Sequence, residues 1–90
     1  LYYAKADGSR IVEAAYPLFS PNGVGLSPDE KTVYVADTFT ARLYAFDLSA
    51  PGEIAPSPLP LPGRVVGSVP GMQFFDSLAV EENGRVCVAT

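Results

Sequence analysis

One hairpin pattern occurs twice in this sequence, and the repeat constrains the fold more than any other feature. The first copy runs from Asn22 to Asp37 around the polar turn Ser27–Lys31, and the second runs from Phe75 to Thr90 around Glu81–Arg85. Short apolar runs bounded by turn residues predict β-strands. Two copies of one supersecondary unit predict a repeat protein. The sequence therefore predicts an all-β fold of the β-propeller type.

The length of the chain limits how much of a propeller it can form. A four-stranded antiparallel blade needs roughly 40 residues, and a closed ring uses about four to eight blades. The 90 residues hold about two blades, begin on Leu1 without a Met and end on Thr90 within a strand pattern. We therefore expect a partial propeller domain over 1–90, cut from a longer protein whose remaining blades are its structural partners.

A proline-rich stretch interrupts the strand pattern at 49–70. It contains Pro51, Pro56, Pro58, Pro60, Pro62 and Pro70. Because proline has no amide N–H, a central strand is disfavoured, and an extended inter-strand loop is predicted. The alternative is a docking site for a proline-recognition module.

Composition excludes several classes of function. The net charge is −4 and the six basic residues are scattered, which argues against nucleic acid as a partner. No apolar run reaches the roughly 18 residues of a membrane span, and no leader is visible, so a cytoplasmic protein without a membrane partner is expected. The segment has no histidine and one cysteine, Cys87, which excludes an internal disulfide, a histidine-based triad and an imidazole zinc site. Cys87 is expected to be a buried small hydrophobe rather than a reactive thiol.

Asn22 and Asp76 lie at equivalent positions, where the first strand of each hairpin begins. In a propeller this strand lines the central channel, so an amide oxygen and a carboxylate from adjacent blades could converge on one hard cation. The alternative is that both side chains cap turns through local hydrogen bonds. Two other carboxylates, Asp37 and Asp47, are expected to cap turns or to pair with neighbours such as Arg42.

A resemblance to a known family bears on these alternatives. The run PNGVGLSPDEKTVYVADTFTARLYAFDL closely resembles the SMP-30/gluconolactonase/luciferin-regenerating-enzyme-like family of six-bladed propellers. The family's Pro-Asn-Gly, Ser-Pro-Asp-x-Lys, apolar strand ending in Asp and aromatic strand ending in Phe-Asp correspond to 21–23, 27–31, 33–37 and 44–47. The resemblance covers the whole chain, although NHL and YVTN-type propellers share parts of the pattern.

The resemblance implies a metal site and a catalytic residue. Asn22 matches the family's metal-binding Asn, and Asp76 matches its metal-binding Asp, which is also proposed as the general base or, in a phosphotriesterase relative, as nucleophile. The cofactor would be a divalent metal ion, calcium or zinc. Phe75-Asp76-Ser77 departs from the usual Pro-Asp-Gly, and the family's metal-binding Glu lies outside this segment. The isolated chain is therefore expected to carry half a site and to be inactive.

These features predict a fragment of a metal-dependent lactonase or esterase-type hydrolase, with a sugar lactone or related cyclic ester as its small-molecule substrate. One rival is a non-catalytic propeller that binds a ligand or protein through its face. Another is a strictosidine synthase-like propeller, which shares the fold without the metal chemistry. That rival predicts poor retention of the Asn and Asp pair, whereas Asn22 and Asp76 are both present.

Overall fold

The described part of the chain is built from antiparallel strands and turns. The computed structural model describes residues 1–58, 60 and 63–90. The strands are β1 Tyr2–Ala4, β2 Ile11–Glu13, β3 Pro21–Leu26, β4 Thr32–Asp37, β5 Arg42–Ala50, β6 Glu53–Ile54, β7 Arg64–Ser68, β8 Leu78–Val80 and β9 Val86–Val88. No helix occurs in these residues, and so none that could cross a bilayer. The predicted all-β class is confirmed.

One complete blade forms the middle of the structure. Strands β3, β4, β5 and β7 pair side by side in that order, and the short β6 pairs with the far end of β5. The hairpin β1–β2 precedes this blade, and the hairpin β8–β9 follows it. A four-stranded blade between two hairpins is a partial β-propeller, as the repeat predicted.

The turn between β3 and β4 shows why the Ser-Pro-Asp-x-Lys pattern makes a hairpin. The Ser27 hydroxyl donates to Asp29 Oδ1 at 2.6 Å and accepts from the backbone N–H of Thr32 at 3.0 Å. The same Asp29 oxygen accepts from the backbone N–H of Lys31 at 3.0 Å. These short-range bonds satisfy the turn's backbone donors, and they hold Glu30 at a positive φ of 59°.

Both faces of the central blade are covered. Successive residues of a strand point to opposite faces, so Val35 enters one core and Ala36 the other. The core beside hairpin β1–β2 consists of Ala15, Val33, Val35, Tyr44 and Phe46, with Leu1, Leu18, Leu48 and Ile54 against it. The core beside hairpin β8–β9 consists of Ala36, Ala41, Leu43 and Phe75, with Tyr34, Leu78, Val86 and Val88 against it. A sheet buried on both faces by neighbouring hairpins is the arrangement that stacks blades in a propeller.

The stretch predicted as a loop at 49–70 contains two strands. β6 covers Glu53–Ile54, and β7, which completes the blade as its outer strand, covers Arg64–Ser68. The prediction missed β7 because the prolines before it dominate the composition, whereas Arg64–Ser68 itself has none. The predicted extended conformation of the alternating prolines involves residues 59, 61 and 62, which lie outside the described residues.

Candidate metal and substrate site

A β-bulge at the start of β3 determines where Asn22 lies. Pro21 pairs with Asp37 and Val24 pairs with Val35, so β3 has one residue more than β4 between the two pairs. A bulge of this kind breaks the regular alternation and redirects a side chain, and such bulges are common beside functional sites. Asn22 is exposed at this point, at the edge where β3 begins.

Gly23 brings this edge into contact with the next hairpin. Its backbone N–H donates to the carbonyl oxygen of Asp76 at 3.0 Å. A Cβ atom at position 23 would lie 2.6 Å from that oxygen and 2.7 Å from the backbone nitrogen of Leu78. Only glycine permits so close an approach of two backbones. The structure therefore places Asn22 and Asp76 beside one another, at the junction between two blades.

Neither of these side chains caps a local turn. Asn22 Nδ2 donates to the hydroxyl of Thr38 at 3.3 Å, and Thr38 is sixteen residues away in sequence. The Asp76 carboxylate is exposed and has no hydrogen-bond donor among the described residues. Asp76 is held by its backbone instead, since its N–H donates to the carbonyl of Ala89 at 2.9 Å. The capping alternative therefore does not account for either side chain.

The donor set at this junction fits part of a site for a hard cation. Carboxylate and amide oxygens suit calcium, which takes about six to eight oxygen ligands. No cluster of three or more His, Cys, Asp or Glu residues occurs in the part of the chain that the structure describes. The chemical fit to a hard cation therefore rests on the side-chain oxygens of Asn22 and Asp76.

A buried carboxylate, Asp37, lies at the end of β4, where it pairs with Pro21, the residue before Asn22. Its side chain is 0% exposed. Oδ2 accepts from the backbone N–H of Ser20 at 2.8 Å, and Oδ1 accepts from the hydroxyls of Ser20 at 2.6 Å and Thr40 at 2.9 Å. A further bond to Oδ1 comes from the backbone N–H of Thr40 at 3.3 Å. Asp37 therefore ties the loop before β3 to the turn between β4 and β5.

Burial and these hydrogen bonds act in opposite directions on the pKa of Asp37. Burial acts to raise the pKa of its carboxyl group, because a charge is poorly solvated inside the protein. The donors from Ser20 and Thr40 stabilise the anion and outweigh burial, so the pKa lies below its ordinary value. The expected structural role of Asp37 is confirmed, although its partners are Ser20 and Thr40 rather than Arg42.

Three exposed phenylalanines form a row, and they lie close in sequence to Ser20, Thr38 and Asp76. Phe39 lies between Phe19 and Phe74, with ring centroids 6.4 Å from Phe19 and 5.8 Å from Phe74, and both contacts are edge-to-face. The three rings, Phe19, Phe39 and Phe74, are 77%, 67% and 44% exposed. Phe75, which directly follows Phe74, is 5% exposed and belongs to the core. The row is therefore an exposed aromatic surface.

Asp47 lies outside the junction, on an exposed part of the central blade. It accepts from Arg64 of β7 at 3.1 Å and from the Thr32 hydroxyl at 3.3 Å, and the hydrogen bond from Arg64 is the main cause that lowers the pKa of its carboxyl group. Its expected structural role is confirmed, with Arg64 in place of Arg42 as its partner.

Cys87 is exposed, so the expectation that it would be buried is wrong. Val86 and Val88 pack against the core, and the alternation of strand β9 therefore points Cys87 to the opposite face. The thiol donates to Glu81 Oε1 at 3.3 Å, and this hydrogen bond raises the pKa of the thiol. A raised pKa and a carboxylate neighbour do not suit a nucleophilic cysteine.

Sequence reasoning missed two residues at this junction, Ser20 and Thr38. Ser20 bonds to the Asp37 carboxylate through its backbone N–H and its hydroxyl. Thr38 contacts Asn22, which lies in the β-bulge, and no spacing rule predicts this contact. The one feature of the sequence that could have indicated Thr38 is its position directly after Asp37, the last residue of the predicted strand.

Comparison with known proteins identifies the family. The sequence matches the family described as the SMP-30/Gluconolactonase/LRE-like region over residues 1–90. Lactonase drp35 of Staphylococcus saprophyticus subsp. saprophyticus is 40% identical over 90 residues, covering 99% of this chain. The chain spans 26% of the length of that relative. Since the match covers the whole chain and the blade has the expected architecture, the chain belongs to the SMP-30/gluconolactonase/LRE-like family.

Proposed function

We propose that this chain is part of a longer metal-dependent hydrolase that opens a sugar lactone or a related cyclic ester. Membership of the family and the similarity to a protein named as a lactonase support the reaction class. The observation that carries the site assignment is the hydrogen bond between Gly23 and Asp76, because it joins the backbones that bear Asn22 and Asp76. The cytoplasmic location remains a separate expectation.

In this proposal Asn22 and Asp76 hold a divalent cation through side-chain oxygens. Their oxygen-only chemistry favours calcium over zinc, which is usually bound by nitrogen and sulfur ligands. When bound, the cation would supply Lewis-acid polarisation of the lactone carbonyl. The ligands outside 1–90 would complete its coordination.

Asp76 is the proposed general base. A water molecule attacks the lactone carbonyl carbon while the Asp76 carboxylate accepts its proton. The ring C–O bond then breaks, the proton passes to the departing alkoxide, and the product is a hydroxy acid. The exposed carboxylate of Asp76 has no protein donor among the described residues, which leaves it available for this role.

The proposal is tested by lactone hydrolysis with the full-length protein that carries this chain. We expect turnover of glucono-lactone to disappear on chelation and to return when calcium or zinc is added back. Asn22→Ala and Asp76→Ala should each lower kcat/KM by about 100-fold or more. Glu82→Gln, an exposed change in the β8–β9 turn, is the matched control and should leave turnover unchanged.

Other results would contradict separate parts of the proposal. Turnover that survives chelation would remove the cation from the mechanism. Unchanged turnover in either alanine variant would remove that residue from the site. Absence of hydrolysis with sugar lactones and with simple cyclic esters, under either metal, would reject the hydrolase.

A second candidate function is a ligand-binding propeller without catalysis. The exposed row of Phe19, Phe39 and Phe74 favours it, since a contiguous aromatic surface suits recognition of an apolar ligand. Saturable binding of a lactone without turnover, weakened by Phe39→Ala but not by Asp76→Ala, would support this alternative.

A further inference from the structure

Asn22 can offer only one end of its carboxamide to a cation. The Oδ1 atom has lone pairs, whereas Nδ2 carries two hydrogens and acts only as a donor. The torsion that exchanges these ends has a broad, roughly two-fold profile. An exposed Asn therefore needs a partner if it is to keep Oδ1 directed at a cation.

Thr38 provides that partner. Its hydroxyl oxygen lies 3.3 Å from Asn22 Nδ2 and accepts a hydrogen bond from it. Within the described residues no donor contacts Asn22 Oδ1, which therefore remains free to bind another group. Asn22 lies in the β-bulge, so the bond holds the side chain at a point where the pairing of β3 with β4 shifts register.

The position of Thr38 is fixed from the buried side of the blade. Its backbone N–H donates to the carbonyl of Ser20 at 2.9 Å. The next N–H, that of Phe39, donates to the Ser20 hydroxyl at 2.8 Å. The same hydroxyl donates to the buried carboxylate of Asp37. A continuous set of hydrogen bonds thus connects a buried anion with the exposed carboxamide of Asn22.

We propose that Thr38 is a positioning residue, which holds Asn22 so that Oδ1 faces a divalent cation, and that Asp37 holds the Thr38 turn in place through Ser20. This inference rests on the proposed function, because it needs the cation site. Thr38 itself binds neither the cation nor the substrate and acts only through Asn22.

Two variants of the full-length protein test this role. Thr38→Val keeps the size of the side chain but removes the hydroxyl, and Thr38→Ser keeps the hydroxyl but removes the methyl group. Calcium affinity is measured by titration calorimetry on chelator-treated protein, and thermal unfolding is measured without metal. Partners that orient a metal ligand typically change affinity by about 10–100-fold when removed. We expect Thr38→Val to weaken binding by about tenfold or more, Thr38→Ser to restore most of it, and both variants to unfold near the wild-type temperature.

Asn22→Ala serves as the reference for losing the ligand itself. If wild-type protein binds calcium, Asn22→Ala binds weakly and Thr38→Val binds normally, the positioning role is wrong while the proposed site stands. If Thr38→Ser binds as weakly as Thr38→Val, the hydroxyl is not responsible and the role is also wrong. If wild-type protein binds no divalent cation, both the proposed site and the role of Thr38 are rejected.

Discussion

The backbone N–H of Gly23 donates to the carbonyl oxygen of Asp76 at 3.0 Å, which joins the first strand of the central blade to the segment that leads into the next hairpin. The contact connects two copies of the repeat through backbone atoms alone. The two backbones can approach this closely only because Gly23 has no side chain. One glycine therefore determines both how two blades meet and how near Asn22 lies to Asp76.

Gly23→Ala should disrupt this junction. The new Cβ would lie 2.6 Å from the Asp76 oxygen and 2.9 Å from the Ser77 carbonyl carbon, and backbone atoms cannot move aside as a flexible side chain can. We expect a loss of about 1–3 kcal/mol in the free energy of unfolding, measured with denaturant on the full-length protein. Turnover should fall as well, because the two proposed ligands would separate.

Gly67→Ala is the matched control for that variant. A Cβ at position 67 would contact nothing within 4 Å, and the residue lies in the exposed strand β7. The same chemical change should therefore be neutral or stabilise by about 0.4–1 kcal/mol. Equal destabilisation by the two substitutions would show that the tight contact at Gly23 is not responsible.

Asp37→Asn should destabilise the protein strongly although it preserves shape. The buried carboxylate accepts from two backbone N–H groups and two hydroxyls, and an Asn side chain would direct its own N–H atoms at some of these donors. Loss of charge-assisted bonds, with donors left buried, should cost about 2–4 kcal/mol in denaturant unfolding. In the exposed pair of Asp47 and Arg64, Asp47→Asn should cost no more than about 1 kcal/mol.

The ionisation of Asp37 should make the free energy of unfolding depend on pH. The pKa of Asp37 is lower in the folded protein than its ordinary value, so its contribution is present above the unfolded pKa of about 3.9. That contribution is lost as the pH falls through the folded pKa. The difference in unfolding free energy between wild type and Asp37→Asn should therefore shrink below about pH 4. A difference that stays constant from about pH 6 to about pH 3 would contradict this assignment.

Local rules explain which parts of the fold could be predicted from sequence. The hairpin between β3 and β4 depends on hydrogen bonds within Ser27–Thr32. Because these residues are close in sequence, the pattern of residue types alone predicts the turn. β7 could not be found in this way, because it is defined by pairing with β5 about 20 residues earlier, as in Tyr44 with Val65. Its exposed residues have no alternating pattern that would mark a strand.

In the candidate site, too, some residues could be predicted from the sequence and others could not. Asn22 and Asp76 are predicted as ligands from their equivalent positions in the repeat together with the family resemblance, and the structure brings their backbones together. Thr38 and Ser20 were missed because their roles arise from contacts across a bulge and a loop. Cys87 was misplaced because a run of apolar residues does not reveal which face a neighbouring hairpin will cover.

Glu30 offers a way to stabilise the protein at a distance from the site. Its φ of 59° lies in the left-handed region, which costs a residue with a side chain about 1–2 kcal/mol. Glu30→Gly removes that cost but adds freedom to the unfolded chain, so we expect a net gain of about 0.5–1 kcal/mol in thermal or denaturant unfolding. Destabilisation would indicate that the Glu30 side chain itself stabilises the turn.

The 90-residue chain studied by itself should self-associate. Strand β7 lies at the outer edge of the blade, and its Val65 and Val66 are 44% and 48% exposed. The hairpin β8–β9 also leaves Ala79 and Cys87 exposed on the face turned away from the core. Unpaired strand edges and open apolar faces promote pairing with other chains. Sedimentation velocity should show oligomers whose share grows with protein concentration, whereas a single monomeric species with a sharp, well-dispersed NMR spectrum would show that the blade and its two hairpins are stable alone.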